Sequence, residues 1–75
     1  MARDKISAMI EFLLNGEIQR RETAVSVAAL LEEMALAGKR LAVEKDGRIV
    51  PKSQHANTLV DAGSQLEIVV AVGGG

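Results

Sequence analysis

The sequence predicts an α+β domain, with one main helix packed on one face of a mixed sheet of four to five strands. Three observations predict it. Asn15-Gly16 and Asp46-Gly47 each separate short runs of β character, the pattern of a two-residue hairpin. A single stretch between these hairpins has its apolar residues at helical spacing. A β-rich run, "LEIVVAV" at residues 66–72, follows the second hairpin. With one helix available, one sheet face is covered and the other is left to solvent.

The elements follow in order. "AMIEFLL", Ala8 to Leu14, alternates as a strand, with Ala8, Ile10, Phe12 and Leu14 on one face and Met9, Glu11 and Leu13 on the other. Asn15-Gly16 suits a type I′ turn, in which both residues need positive φ. "EIQRRE" returns as a more polar strand at an edge. Ser26 is placed to cap a helix over roughly 26–37. Val27, Leu30, Leu31 and Met34 form its apolar stripe, Gly38 suits the left-handed position after its end, and Lys39 and Arg40 favour its negative pole. "RLAVEKDGRIVP" reads as the second hairpin, stopped by Pro51, which has no N–H to give to a ladder. "KSQHANT" is a polar connector with room for one short turn, and Gly63 marks the turn before the last strand. On that strand Leu66, Ile68, Val70 and Val72 share one face, with Glu67, Val69 and Ala71 on the other. Hairpin, helix, hairpin and final strand, with the last strand in the middle beside the first, is the β-grasp arrangement.

Composition excludes several functions. The 75 residues predict a single domain over 1–75, with an N-terminal extension at about 1–7 and a flexible glycine tail at 73–75. There is no cysteine, hence no disulfide, catalytic thiol or thiolate metal site. One histidine cannot supply the imidazoles of a typical zinc centre. Phe12 is the sole aromatic residue, which argues against stacking on nucleic-acid bases. Nine basic and ten acidic residues nearly cancel and are scattered, so neither nucleic acid nor an anionic membrane is an expected partner. Glu11 interrupts the first apolar run, no run is long enough to span a bilayer, and the expectation is a soluble, cytoplasmic chain, monomeric when free.

An enzyme is not expected either. His55 stands in the connector without a partner and reads as a partly buried filler. Glu32 and Glu33 are adjacent on a helix, so their side chains diverge and cannot work as a facing acid–base pair. Ser53 has no accompanying base. The feature that stands out is Gly73-Gly74-Gly75. At average glycine usage, three at a defined end arise by chance about a few times in ten thousand. A fraying end or a cloning remnant would also produce them. Lacking Cβ, however, glycines can thread a channel too narrow for side chains. Three extended residues reach about 10 Å, enough to carry a terminal carboxylate into another protein's active site. Activated with ATP to an acyl-adenylate, Gly75 would become a target for a sulfur or nitrogen nucleophile.

The chain resembles the ThiS family, the ubiquitin-like β-grasp sulfur carriers of thiamin biosynthesis. The resemblance lies in "LLNGE", "VSVAALLEEM", "LAVEKDGRIVPKSQHA" and "LEIVVAVGGG", in that order. It implies the following chemistry. An adenylyltransferase of the ubiquitin-activating-enzyme type (ThiF-like) uses ATP and magnesium to adenylate Gly75, and Gly73 and Gly74 form the threading tail. A sulfurtransferase system converts the adenylate to a thiocarboxylate, which gives its sulfur to a ThiG-like thiazole synthase. The chain itself would bind no cofactor or metal and would be a modified co-substrate. Two positions depart from the family pattern: Gly63 is followed by Ser64 where "GD" is common, and His55 stands where a larger aromatic is frequent.

A partner needs a surface as well as a tail. On the face opposite the helix, Leu13, Ala42, Val69 and Ala71 are expected to be exposed or half-exposed as a docking patch. Two alternatives stand beside the thiamin carrier. One is a molybdopterin-synthase small-subunit-like or cysteine-synthesis sulfur carrier, although "IVVAVGGG" lacks the aromatic or proline-rich approach usual in the molybdopterin type. The other is a non-covalent β-grasp interaction module.

Overall fold

Both predicted turns close as expected. Asn15 (φ 51°) with Gly16 (φ 85°), and Asp46 (φ 53°) with Gly47 (φ 84°), place both turn residues at positive φ. That is the type I′ geometry whose twist matches the flanking strands. The computed structural model describes residues 9–71; residues 1–8 and 72–75 lie outside the described residues. The glycine tail and the N-terminal extension therefore fall outside them.

The first turn joins β1 (Ile10–Leu14) to β2 (Glu17–Arg21). The second joins β4 (Leu41–Lys45) to the short β5 (Arg48–Ile49). Between the hairpins lie β3 (Val25–Ser26) and α1 (Val27–Glu33); β6 (Leu59–Val60) and β7 (Gln65–Val70) are the last strands of the described residues. The main sheet has five strands in the order β2-β1-β7-β4-β5. The last strand is central, parallel to β1 and antiparallel to β4. Among the described residues this is the mixed sheet with one α-helix that the sequence predicts.

Strand alternation sets the core. Phe12 and Leu14 on β1, Val43 on β4, and Leu66 and Ile68 on β7 are buried against Val27, Leu30 and Leu31 of α1. Val50 and Val60 close its ends. Arg21 on the edge strand covers one side: its guanidinium lies 5.7 Å from the Phe12 ring centroid and pairs with Glu33 at 2.6 Å. The aliphatic stem of an arginine can shield apolar surface in this way while its charge stays at the rim.

The helix begins where predicted. Ser26 Oγ accepts from the Ala29 N–H at 3.0 Å. Two further first-turn donors are taken by the connector: Val27 N–H donates to the Thr58 carbonyl (2.9 Å) and Ala28 N–H to the His55 carbonyl (3.0 Å). The connector contains one 3₁₀ turn, Lys52–Gln54. His55 is half-buried, and its Nε2–H donates to the Val50 carbonyl at 3.1 Å.

Two expectations need correction, and a third feature was not anticipated. The helix spans Val27–Glu33 and stops short of residue 37. Its left-handed end residue is Ala35 (φ 60°), and Gly38 (φ 84°) belongs to the following turn. Ala35 N–H donates to the Glu32 carbonyl (3.1 Å) and Leu36 N–H to the Leu31 carbonyl (2.8 Å). Those two bonds are the Schellman pair, and burying Leu36 beside Leu31 against the core selects this earlier stop. Second, β1 starts at Ile10 and β7 ends at Val70, both shorter than predicted. Third, β3 and β6 form a small antiparallel sheet of their own, pairing Val25 with Val60 and Ser26 with Leu59.

Candidate functional site

The site is built around β7, the strand that leads toward the glycines. It is hydrogen-bonded on both sides, to β1 and to β4, which leaves it little freedom to shift. Its last described link is Ala71 N–H, which donates to the Arg40 carbonyl at 2.9 Å.

Both turn residues reach back to this strand. Asn15 Oδ1 accepts from the Ile68 N–H (2.8 Å) and Asn15 Nδ2 donates to the Ile68 carbonyl (3.2 Å). Asn15's own N–H donates to the Leu66 carbonyl at 2.9 Å. The side-chain amide thus continues the parallel ladder after β1 has turned away. On the other side, Asp46 Oδ1 accepts from the Gln65 N–H (2.9 Å), while Asp46 N–H donates to the Gln65 carbonyl (2.8 Å). The central strand is bracketed by the first residue of each hairpin turn. Sequence reasoning assigned Asn15 and Asp46 to turns alone; the available signal was that a last strand inserted between two hairpins must pass both turns.

Ser64, at the start of this strand, is buried with its polar atom satisfied. Its Oγ donates to Asp61 Oδ1 (2.9 Å) and accepts from the Asp61 N–H (3.1 Å). The Ser64 departure therefore completes a closed turn and leaves no bare polar group.

The four patch residues do not form one surface. Val69 and Ala42 are direct cross-strand partners, both exposed, and Val69 is 66% accessible. Ala71 is exposed just beyond them. Leu13 is half-buried and lies opposite Gln65 on one side and Ile18 on the other. From Gln65 to Val69 is four residues along one strand, about 13 Å. Between the two apolar ends, Glu44 and Glu67 face each other across the ladder. The face thus holds two apolar spots, Leu13 with Ile18 and Ala42 with Val69, separated by charge. Gly73, Gly74 and Gly75 lie outside the described residues. Among the described residues, no group of three His, Asp or Glu side chains converges to hold a metal. No helix there is long and apolar enough to cross a membrane.

Comparison with known proteins places this architecture. A crystal structure of the thiamine biosynthesis protein ThiS from Geobacter metallireducens superposes with a TM-score of 0.74 at 23% identity, covering 88% of this chain and all of that one, which is likeness of fold. A thiazole synthase from Paramagnetospirillum magneticum is 39% identical over 66 residues. That match takes in 88% of this chain and only 20% of the relative, so the chain spans about a fifth of that protein's length. The ThiS family model matches residues 12–75, from the first core residue of β1 through the glycines. The chain belongs to the ThiS family, the sulfur-carrier family its sequence resembles.

Proposed function

We propose that this chain carries sulfur for thiazole formation in thiamin biosynthesis, and that the carrying group is the carboxyl of Gly75. The observation that carries the reading is the reach of the family match, which includes Gly73, Gly74 and Gly75. A cloning remnant would have no counterpart in a family. The bracketed central strand supports it, because a tail offered to an enzyme needs a fixed root.

The chemistry is one substitution at phosphorus followed by one at the carboxyl carbon. The Gly75 carboxylate attacks the α-phosphorus of ATP, held with magnesium by an adenylyltransferase, and pyrophosphate leaves. The terminal sulfur of a sulfurtransferase persulfide then displaces AMP to give an acyl disulfide, and a second thiol attacks the sulfurtransferase sulfur, forming a disulfide with it and releasing the thiocarboxylate. The chain supplies no acid, base or nucleophile to either step beyond that carboxylate. A thiazole synthase would take the sulfur, and the name of the matched relative favours this acceptor over a molybdopterin or cysteine pathway.

The deciding measurement is intact mass after incubation with ATP, magnesium, the adenylyltransferase and a sulfur donor. Replacement of one oxygen by sulfur, localised to Gly75 by fragmentation, is expected. Deleting Gly75 should abolish the change while the fold persists; sulfur transfer by the truncated chain refutes the reading.

Leu13 and Val69 are proposed as two separate anchors for the activating enzyme, with Ala42 and Ala71 framing the second. The double substitution L13D/V69D should raise the concentration of chain needed for half-maximal adenylation. Unchanged kinetics in a folded variant would remove these anchors from the scheme.

A further inference from the structure

One concavity adjoins the candidate patch only through Ala42. It lies where the turn after α1 meets β4 and the end of β5, and its volume is about 310 Å³. Leu31, Leu36, Val43 and Val50 give it an aliphatic floor. Lys39, Arg40 and Lys52 stand on its rim, all exposed, and no carboxylate lines it. In a chain with nine basic and ten acidic residues, this is a local excess that the linear sequence hides. Among the described residues, none of these three cations has a salt-bridge partner.

The hollow also borders an open strand edge. β5 pairs with β4 only at Glu44 and Lys45, and the last bond on that side runs from Val50 N–H to the Val43 carbonyl (2.8 Å). Pro51 then has no N–H to offer, and the chain turns away into Lys52–Gln54. Because the Arg40 carbonyl points at β7, alternation along an antiparallel ladder directs the N–H and C=O of Leu41 the other way, toward the hollow. An unpaired edge is a template for one more strand.

We propose that this corner is a docking site for an extended, acidic segment of a partner protein. The segment adds to β4 at Leu41, seats an apolar side chain on the aliphatic floor, and meets Lys39, Arg40 and Lys52 with carboxylates. Charge complementarity selects the occupant: a basic or neutral segment gains nothing from that rim. The position gives it a use, since Arg40 also holds Ala71, four residues before Gly75. A partner clasped here is held beside the root of the tail. In this the inference rests on the carrier reading, but its test does not require that reading to be right.

The test is a titration of the isotopically labelled 1–75 chain, followed by amide NMR shifts. Three probes are compared: a capped peptide of alternating glutamate and leucine, its glutamine–leucine counterpart, and sodium sulfate. The acidic peptide should shift the amides of residues 38–42 and 49–52 and slow exchange of the Leu41 N–H. With three exposed ion pairs lost, the glutamine peptide should bind about ten-fold more weakly, and so should the acidic peptide to the variant K39E/R40E/K52E. Absent shifts, equal binding of the two peptides, shifts centred on Leu13 or Val69, or full reproduction by sulfate would each overturn the proposal. The chain lacking Gly75 should bind the acidic peptide unchanged, so a failure of the docking site and a failure of the carrier chemistry read out separately.

Discussion

The bracket between Asn15 and Ile68 permits a quantitative prediction. Asn15→Gly keeps the type I′ turn, since glycine accepts φ near 51° more readily than any other residue, and removes both side-chain hydrogen bonds. Each such bond contributes about 0.5–1.5 kcal/mol net. Both are only partly buried, so water recovers some of that, and the expected loss is about 1–2 kcal/mol. For a domain of this size the corresponding fall in Tm is roughly 4–16 °C. Asn15→Asp separates the amide from the turn. It keeps the acceptor for Ile68 N–H but sets a second carboxylate oxygen against the Ile68 carbonyl. That contact is repulsive, so N15D should be less stable than the parent at neutral pH. Urea unfolding monitored by circular dichroism, with hydrogen exchange at Ile68, measures both. If N15G lies within about 0.5 kcal/mol of the parent with Ile68 equally protected, the amide is a bystander and the turn alone fixes the strand.

Two further substitutions probe the fold around the site. Ala35→Gly should stabilise by about 0.5–1 kcal/mol, because a left-handed alanine ends the helix; thermal unfolding reads it, and a loss of stability would contradict the Schellman assignment. Ser64→Ala should cost about 1–3 kcal/mol by leaving the buried end of the Asp61 turn unpaired, and a neutral effect in urea unfolding would show that water takes the place of Oγ.

The parts of this fold written in local chemistry could be read from the sequence. Asn15-Gly16 and Asp46-Gly47 announce their turns because few residues tolerate positive φ, and Ser26 announces the helix start because its hydroxyl meets a free N–H three residues on. Alternation along β7 identified which of its side chains are buried. The parts set by partners distant in sequence could not be read. Gly38 is the better left-handed residue in isolation, yet the helix stops at Ala35 because Leu36 gains more by packing against the core. Two-residue strands such as β3 and β6 carry no pattern at all. The candidate patch shows the same division: that Leu13 and Val69 face outward follows from alternation, whereas their separation depends on Leu13 pairing with Gln65. The basic rim was invisible for that reason too, since Lys52 joins Lys39 and Arg40 only after the connector folds back.

The central place of β7 has a consequence for the order in which the molecule can form. Until Gln65–Val70 is available, β1 and β4 have no common neighbour, and the main sheet exists only as two separate hairpins, each with an open edge. Isolated hairpins are marginal in water. Joining β1 to β7 closes a loop of some fifty residues, as the Leu13–Gln65 pairing requires, and such closure tends to slow folding. A nascent chain therefore cannot complete its core before Gln65–Val70 has been made. The segment that finishes the sheet is the one that precedes the glycines in sequence, so assembly of the core and fixing of the strand before them are a single event.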